Sequence, residues 1–199
     1  MRILLVGAGG VGNSIAKIAA ERDFFETIIV CDYDLARAES TIEWITAKHG
    51  EQGTRFVAAR IDASSAENVA AVARQHAATH VMNAVEPKFV PTIFAGALAA
   101  GADYVDMAMS LSAPHPTNPH GETGLKLGDE QFEAAPDWEK AGRLALVGMG
   151  VEPGLSDVFA RYAVDHLFSE VDELGTRDGA NLVVRDDDGN EIFAPSFSI

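Results

Sequence analysis

An α/β fold built on a doubly wound parallel sheet is predicted for this 199-residue chain. Three observations predict it. Short apolar runs alternate with segments whose apolar residues recur at helical spacing. A glycine-rich turn, Gly7-Ala8-Gly9-Gly10-Val11-Gly12, joins the first apolar run to the first helical segment. The links between runs are long enough to carry a helix from one parallel strand to the next.

Arg2–Val6 is a short apolar run ending in glycine, suited to a strand buried on both faces. Val11–Glu21 follows with apolar residues at Val11, Ile15, Ile18 and Ala19, a helical period. Thr27–Cys31 is the second strand. Leu35–His49 reads as a helix with Leu35, Ala38, Ile42 and Ile45 on one stripe and Gly50 past its end. Arg55–Ala59 is the third strand, and Ser64-Ser65-Ala66-Glu67 offers a capping box to the helix after it. His80–Val85 is the fourth strand, Phe89–Ala100 a helix closed by Gly101, and Tyr104–Asp106 a brief fifth strand. The predicted sheet order is 3-2-1-4-5-6.

Met107–Gly128 breaks the pattern. It is rich in Pro, Gly, Ser, Thr and His and has no apolar period, which marks a functional or mobile loop. Helical signal returns over Asp129–Lys140, interrupted by Pro136. Leu144–Val147 reads as the sixth strand and Pro153–Leu167 as a helix. Three short strands are then expected, at Val171–Thr176, Leu182–Arg185 and Glu191–Phe193, too few to bury a core of their own. The expected organisation is therefore residues 1–168 as one domain and 169–199 as the opening strands of a second, incomplete one.

Composition narrows the function classes. The hydrophobic fraction of 47% supports a packed core, and the formal net charge of -15 disfavours nucleic-acid backbones. No apolar run is long enough for a membrane span and no secretory signal is recognisable, so a cytoplasmic protein is expected. The single cysteine, Cys31, excludes an internal disulfide and fits a buried strand position. His115 and His120 have no evident third ligand, so no metal is expected. The run Asp186-Asp187-Asp188-Gly189-Asn190 lacks calcium-loop spacing and reads as a solvated hairpin turn.

The glycine turn carries the main functional signal. A strand precedes it and a helix follows, the context in which G-x-G-x-x-G holds a dinucleotide. Gly7 allows the tight turn, Gly9 and Gly10 with Val11 bring backbone N–H groups to a pyrophosphate, and Gly12 lets helix pack on strand. Such a site needs no Lys or Arg, so the acidic balance does not oppose it. Asp32 lies about 20 residues downstream, where a carboxylate takes the adenosine ribose hydroxyls. It argues for NAD over NADP, although Arg37 one helical turn on could pair a 2′-phosphate. Asp32 could also serve as a helix cap, a role that suits Asp34 better. Asp62 follows the third strand, beside the adenine or as a simple turn residue. Asn83 and the small Ala84 end the fourth strand at the switch point where ligands bind.

Four segments together resemble the saccharopine dehydrogenase family: Val6–Gly12, Asn83-Ala84-Val85-Glu86-Pro87, Ala100-Gly101-Ala102-Asp103-Tyr104-Val105-Asp106, and Gly148-Met149-Gly150-Val151-Glu152-Pro153-Gly154-Leu155-Ser156-Asp157. The resemblance is to the N-terminal portion of that family. It implies a Rossmann fold and a nicotinamide-dependent oxidoreductase acting at a C–N bond of an amino acid, with lysine among the amines to test. It also implies a homodimeric full-length protein whose second domain supplies much of the substrate site. On the substrate side Asp106, Ser110 and Lys88 are the catalytic candidates, with Glu86, His115 and Arg177 as lesser ones. Each has a plainer reading: a strand-end cap for Asp106, solvated loop charges for Glu86 and Lys88, a Pro-rich loop position for His115. A non-enzymatic nucleotide-sensing module is the rival class, but it has no need of the Met107–Gly128 loop or the Val147–Asp157 segment.

Overall fold

The computed structural model describes residues 1–177, 184–186 and 188–192. The chain divides into two compact units, Met1–Phe159 and Ala160–Ile199, a division that falls ahead of the expected 168/169 boundary. The first unit holds a six-stranded sheet in the order β3-β2-β1-β4-β5-β6, as expected. Its strands are β1 Arg2–Val6, β2 Thr27–Asp32, β3 Phe56–Arg60, β4 His80–Asn83, β5 Asp103–Val105 and β6 Ala145–Leu146. Every pairing is parallel. All six C-terminal ends therefore lie along one edge.

Side-chain alternation explains why the sheet is covered on both faces. In β1, Ile3 and Leu5 point to one side while Leu4 and Val6 point to the other, and all four are buried. The Ile3–Leu5 face joins Ile28, Val30 and Phe56 to Ala16, Ala19, Ala38 and Ile45. Those last residues come from α1 Gly10–Ala19 and α2 Leu35–His49. The Leu4–Val6 face joins Ile29, Cys31, Val81 and Tyr104 to Val69, Ile93, Phe94 and Trp138. These come from α3 Ala66–Gln75, α4 Val90–Ala100 and a short helix near β6. Cys31 is fully buried, as its strand position predicted.

Several local expectations are corrected. Ser65, not Ser64, caps α3, because its hydroxyl accepts from the Asn68 N–H, so Glu67 is not at the reciprocal box position. The Asp129–Lys140 signal resolves into α5 Asp129–Glu133 and α6 Ala135–Ala141, split just before Pro136. Helix α7 runs Leu155–His166, starting after Pro153, where the Gly154 N–H donates to the Asp157 carboxylate. Met107–Gly128 is not structureless. Backbone bonds from Gly128 N–H to the Ser110 carbonyl and from Ala113 N–H to the Leu125 carbonyl close it at the base.

In the second unit, the expected strand over residues 171–176 is absent. β7 Val184–Arg185 and β8 Glu191–Ile192 pair antiparallel, and the Asp186 carboxylate accepts from the Asp188 and Asn190 N–H groups in the turn. Residues 182, 183 and 193 of the expected strands lie outside the described residues.

Candidate functional site

The glycine turn sits where β1 ends and α1 begins, at the centre of the C-terminal edge. Gly7 adopts φ +104°, and a Cβ there would lie 2.8 Å from the Ala84 carbonyl oxygen. At Gly12 a Cβ would overlap the Gly7 carbonyl oxygen, so only glycine lets α1 pass this close to β1. Gly9, Gly10 and Val11 are exposed, and a Cβ on Gly9 or Gly10 would meet nothing. The first intrahelical donor is the Asn13 N–H, which reaches the Gly9 carbonyl, so the N–H groups before it point out of the helix. Open space, exposed donors and the positive end of a helix together fit a pyrophosphate.

Asp32 ends β2 beside this turn. It is 6% exposed. Its Oδ2 accepts from the Ala8 N–H at 2.8 Å and its Oδ1 from the Asp34 N–H at 3.1 Å. Asp34, not Asp32, caps α2, accepting from the Ala36 N–H. Arg37 lies 3.8 Å from the Asp34 carboxylate, with its guanidinium 5.5 Å from the Tyr33 ring centroid. Asp62 is exposed on the turn after β3. The Ser64 hydroxyl and N–H donate to it, holding its carboxyl below the usual carboxylate range.

Asn83 and Ala84 meet the glycine turn across the switch point between β1 and β4. The Ala84 N–H donates to the Val6 carbonyl, and Ala84 is half-buried. Asn83 is 3% exposed, and its amide faces inward: Nδ2 donates to the Tyr104 hydroxyl, while Oδ1 accepts from the Val85 N–H.

The far half of the edge is organised around Asp106, which is 1% exposed. Its Oδ1 accepts from the N–H groups of Gly148 at 2.7 Å and Met109 at 3.3 Å. Its Oδ2 accepts from the Tyr104 hydroxyl at 3.0 Å and Gln131 Nε2 at 2.7 Å. Burial, and then the Asp106 charge, pushes the Tyr104 phenol up from its ordinary value. Ser110 is fully buried, its N–H donating to Gln131 Oε1 and its hydroxyl without a partner. Lys88 is exposed and paired with Glu86 at 2.6 Å. His115 caps its own loop, its Nδ1 accepting from the Asn118 N–H.

The structure thus brings the glycine turn, Asp32 and Ala84 together, and buries Asp106 and Ser110 beneath the second half of the edge. Sequence reading missed Tyr104, Gln131 and Gly148 as site-forming residues. Tyr104 and Gly148 carried a usable signal, each lying in a segment that bears the family resemblance. Gln131 carried none, since a polar residue on a weak amphipathic helix reads as solvent-facing.

A glycine turn between parallel strand and helix, with an acidic residue ending the next strand, defines an NAD(P)-binding Rossmann domain. The chain belongs to the saccharopine dehydrogenase NADP-binding-domain family, which its residues 3–146 match. It is 30% identical to a carboxynorspermidine synthase from Vibrio alginolyticus, across 99% of this chain and 46% of the relative. It is 28% identical to a carboxyaminopropylagmatine dehydrogenase from Synechocystis sp., across 87% of this chain and 40% of the relative. The chain therefore spans less than half the length of these relatives. The apo saccharopine dehydrogenase (L-Glu forming) of Saccharomyces cerevisiae superposes with a TM-score of 0.60 at 19% identity, covering 83% of this chain and 31% of that one, which shows the shared fold.

Proposed function

We propose that this chain is the cofactor-binding portion of an NAD-linked oxidoreductase acting at a C–N bond of an amino acid or related amine. The observation that carries the cofactor part is the Asp32 carboxylate, fixed by the Ala8 N–H beside an open helix N-terminus. A carboxylate held there accepts hydrogen bonds from ribose hydroxyls and repels a 2′-phosphate. Arg37, the cation nearest in sequence, is engaged by Asp34 and Tyr33. Both features support NAD, although the family is described by NADP.

In this reading Gly9, Gly10 and Val11 hold the pyrophosphate with backbone donors, Gly7 and Gly12 let the turn and helix close onto β1, Asp32 holds the ribose, and Ala84 leaves room at the switch point. Asp62 borders the adenine end, and Asn83 acts from below through Tyr104. The bound nicotinamide supplies or receives hydride. Asp106 and Ser110 are too buried to touch a substrate, so we assign them to building the floor of the site. Lys88, exposed after β4 and paired with Glu86 at 2.6 Å, would exchange that partner for a substrate carboxylate. The C–N chemistry is supported by the names of the relatives, and a homodimer of the relatives' length is the proposed setting.

Calorimetric titration with NADH and NADPH tests the cofactor assignment. Tighter binding of NADH is expected. Equal affinity, or tighter NADPH, would remove the assigned role of Asp32, and absence of binding to both would remove the cofactor reading itself. Lysine with 2-oxoglutarate is the first amine and carbonyl pair to screen for turnover.

A further inference from the structure

We propose that Gln131 is a positioning residue that clamps the two loops forming the nicotinamide half of the site. This deepens the proposed function and rests on it for its catalytic meaning. The clamp itself follows from geometry.

Two loops leave the sheet edge beyond the switch point. One runs from β5 through residues 107–128, and the other follows β6 from Gly148. Backbone bonds join their first residues, the Asp106 N–H donating to the Leu146 carbonyl and the Met149 N–H to the Asp106 carbonyl, and side chains extend the tie beyond that point. Asp106 supplies one bond to each start: its Oδ1 accepts from both Met109 and Gly148. Its Oδ2 accepts from the Tyr104 hydroxyl at 3.0 Å on the strand side. Gln131 fixes it, donating from Nε2 at 2.7 Å. The same amide accepts from the Ser110 N–H at 2.8 Å.

Gln131 is placed by the loop it clamps. Its own N–H donates to the Gly128 carbonyl, and the Gly128 N–H donates to the Ser110 carbonyl. The base of the 107–128 excursion is therefore a closed ring of bonds, with the exposed tip beyond it. The oxygen and the nitrogen of the Gln131 amide each face a partner of opposite kind, at 5% exposure. A polar side chain buried to this degree is retained for the bonds it makes. The second arm of the network, from Asn83 through the Tyr104 hydroxyl to the same Asp106 oxygen, reaches the switch point. Asp106 thereby joins the loops to the strand end under the cofactor.

The test uses Gln131→Met, which keeps the length of the side chain and removes both bonds. Amide hydrogen exchange at Ser110 and Gly148 is expected to accelerate by about tenfold or more, with Leu4 and Ile29 in the central strands unchanged. The fluorescence lifetime of bound NADH, a property of the reduced nicotinamide, is expected to move toward the free value while the adenosine end stays held. Unchanged exchange at Ser110 and Gly148 overturns the clamp, and an unchanged NADH lifetime overturns its positioning role. Wild-type protein provides a measurement independent of any variant. Ser110 and Gly148 amides should exchange far more slowly than those of Asn118 to Glu122 at the loop tip, and equal rates overturn the clamp. Failure of wild-type protein to bind NADH sinks the cofactor reading alone, because the exchange rates still report on the clamp.

Discussion

Asp32 Oδ2 accepts a 2.8 Å hydrogen bond from the Ala8 N–H, so the carboxylate that ends β2 and the glycine turn are one structural unit. Both of its oxygens are engaged by backbone donors, which orients the remaining lone pairs. An Asp32→Asn variant must set an amide N–H against one of those donors. Loss of a charge-assisted bond costs about 1.5–3 kcal/mol, so NADH affinity should fall by roughly tenfold or more. Titration calorimetry alongside thermal melting checks this, and wild-type affinity in the variant would sink the ribose assignment.

Gly12 and Gly10 make opposite predictions from one motif. A Cβ at Gly12 overlaps the Gly7 carbonyl, whereas one at Gly10 meets open space. Gly12→Ala should destabilise the domain by about 1–3 kcal/mol through overpacking. Gly10→Ala should leave stability unchanged or raise it by about 0.5–1 kcal/mol, while obstructing the surface offered to the pyrophosphate. Denaturant melts separate the two. Equal stability losses would contradict the close packing of α1 on β1.

Cys31 is shielded by position. Burial first, then the neighbouring Asp32 charge, pushes its thiol well above its ordinary value. Alkylating reagents should leave native protein unlabelled and modify Cys31 only when the sheet opens. Labelling followed by mass across a denaturant series measures this. Rapid modification of native protein would contradict the burial.

Alkaline pH should unfold the domain by way of two buried groups, Tyr104 and Cys31. For Tyr104 the folded value is raised, by burial first and the Asp106 charge second. A raised folded value means that its contribution is fully present below the ordinary tyrosine value of about 10 and is lost as pH rises beyond it. Cys31 acts with the same sign from its ordinary value of 9.0 upward. Melting temperature should therefore decline above about pH 9, steepening past about 10. The Tyr104 share of the tyrosinate absorbance should appear only with unfolding, and its growth in still-folded protein would count against the assignment.

The order of elements was legible in the sequence because each depends on local pattern. Alternation in Arg2–Val6, the stripe of Leu35–His49 and the glycine spacing report which side of an element is buried, whatever it packs against. The glycine turn and Asp32 were legible for a related reason: the parallel topology places the ends of β1 and β2 side by side, in register at Val6 and Cys31. Asp106 and Ser110 were also visible as polar residues at a strand end and in the loop after it, but not their burial. That was decided by Gln131 and Gly148, 25 and 42 positions from Asp106 in the chain. Hydrogen-bond partners at such separations are set by how helices and loops pack over the edge, and no period in the sequence encodes them. Sequence determined the half of the edge formed by the glycine turn and Asp32, where contacts follow from strand order. Tertiary structure alone decided the other half, where a buried carboxylate takes two of its four donors, Gln131 and Gly148, from distant segments.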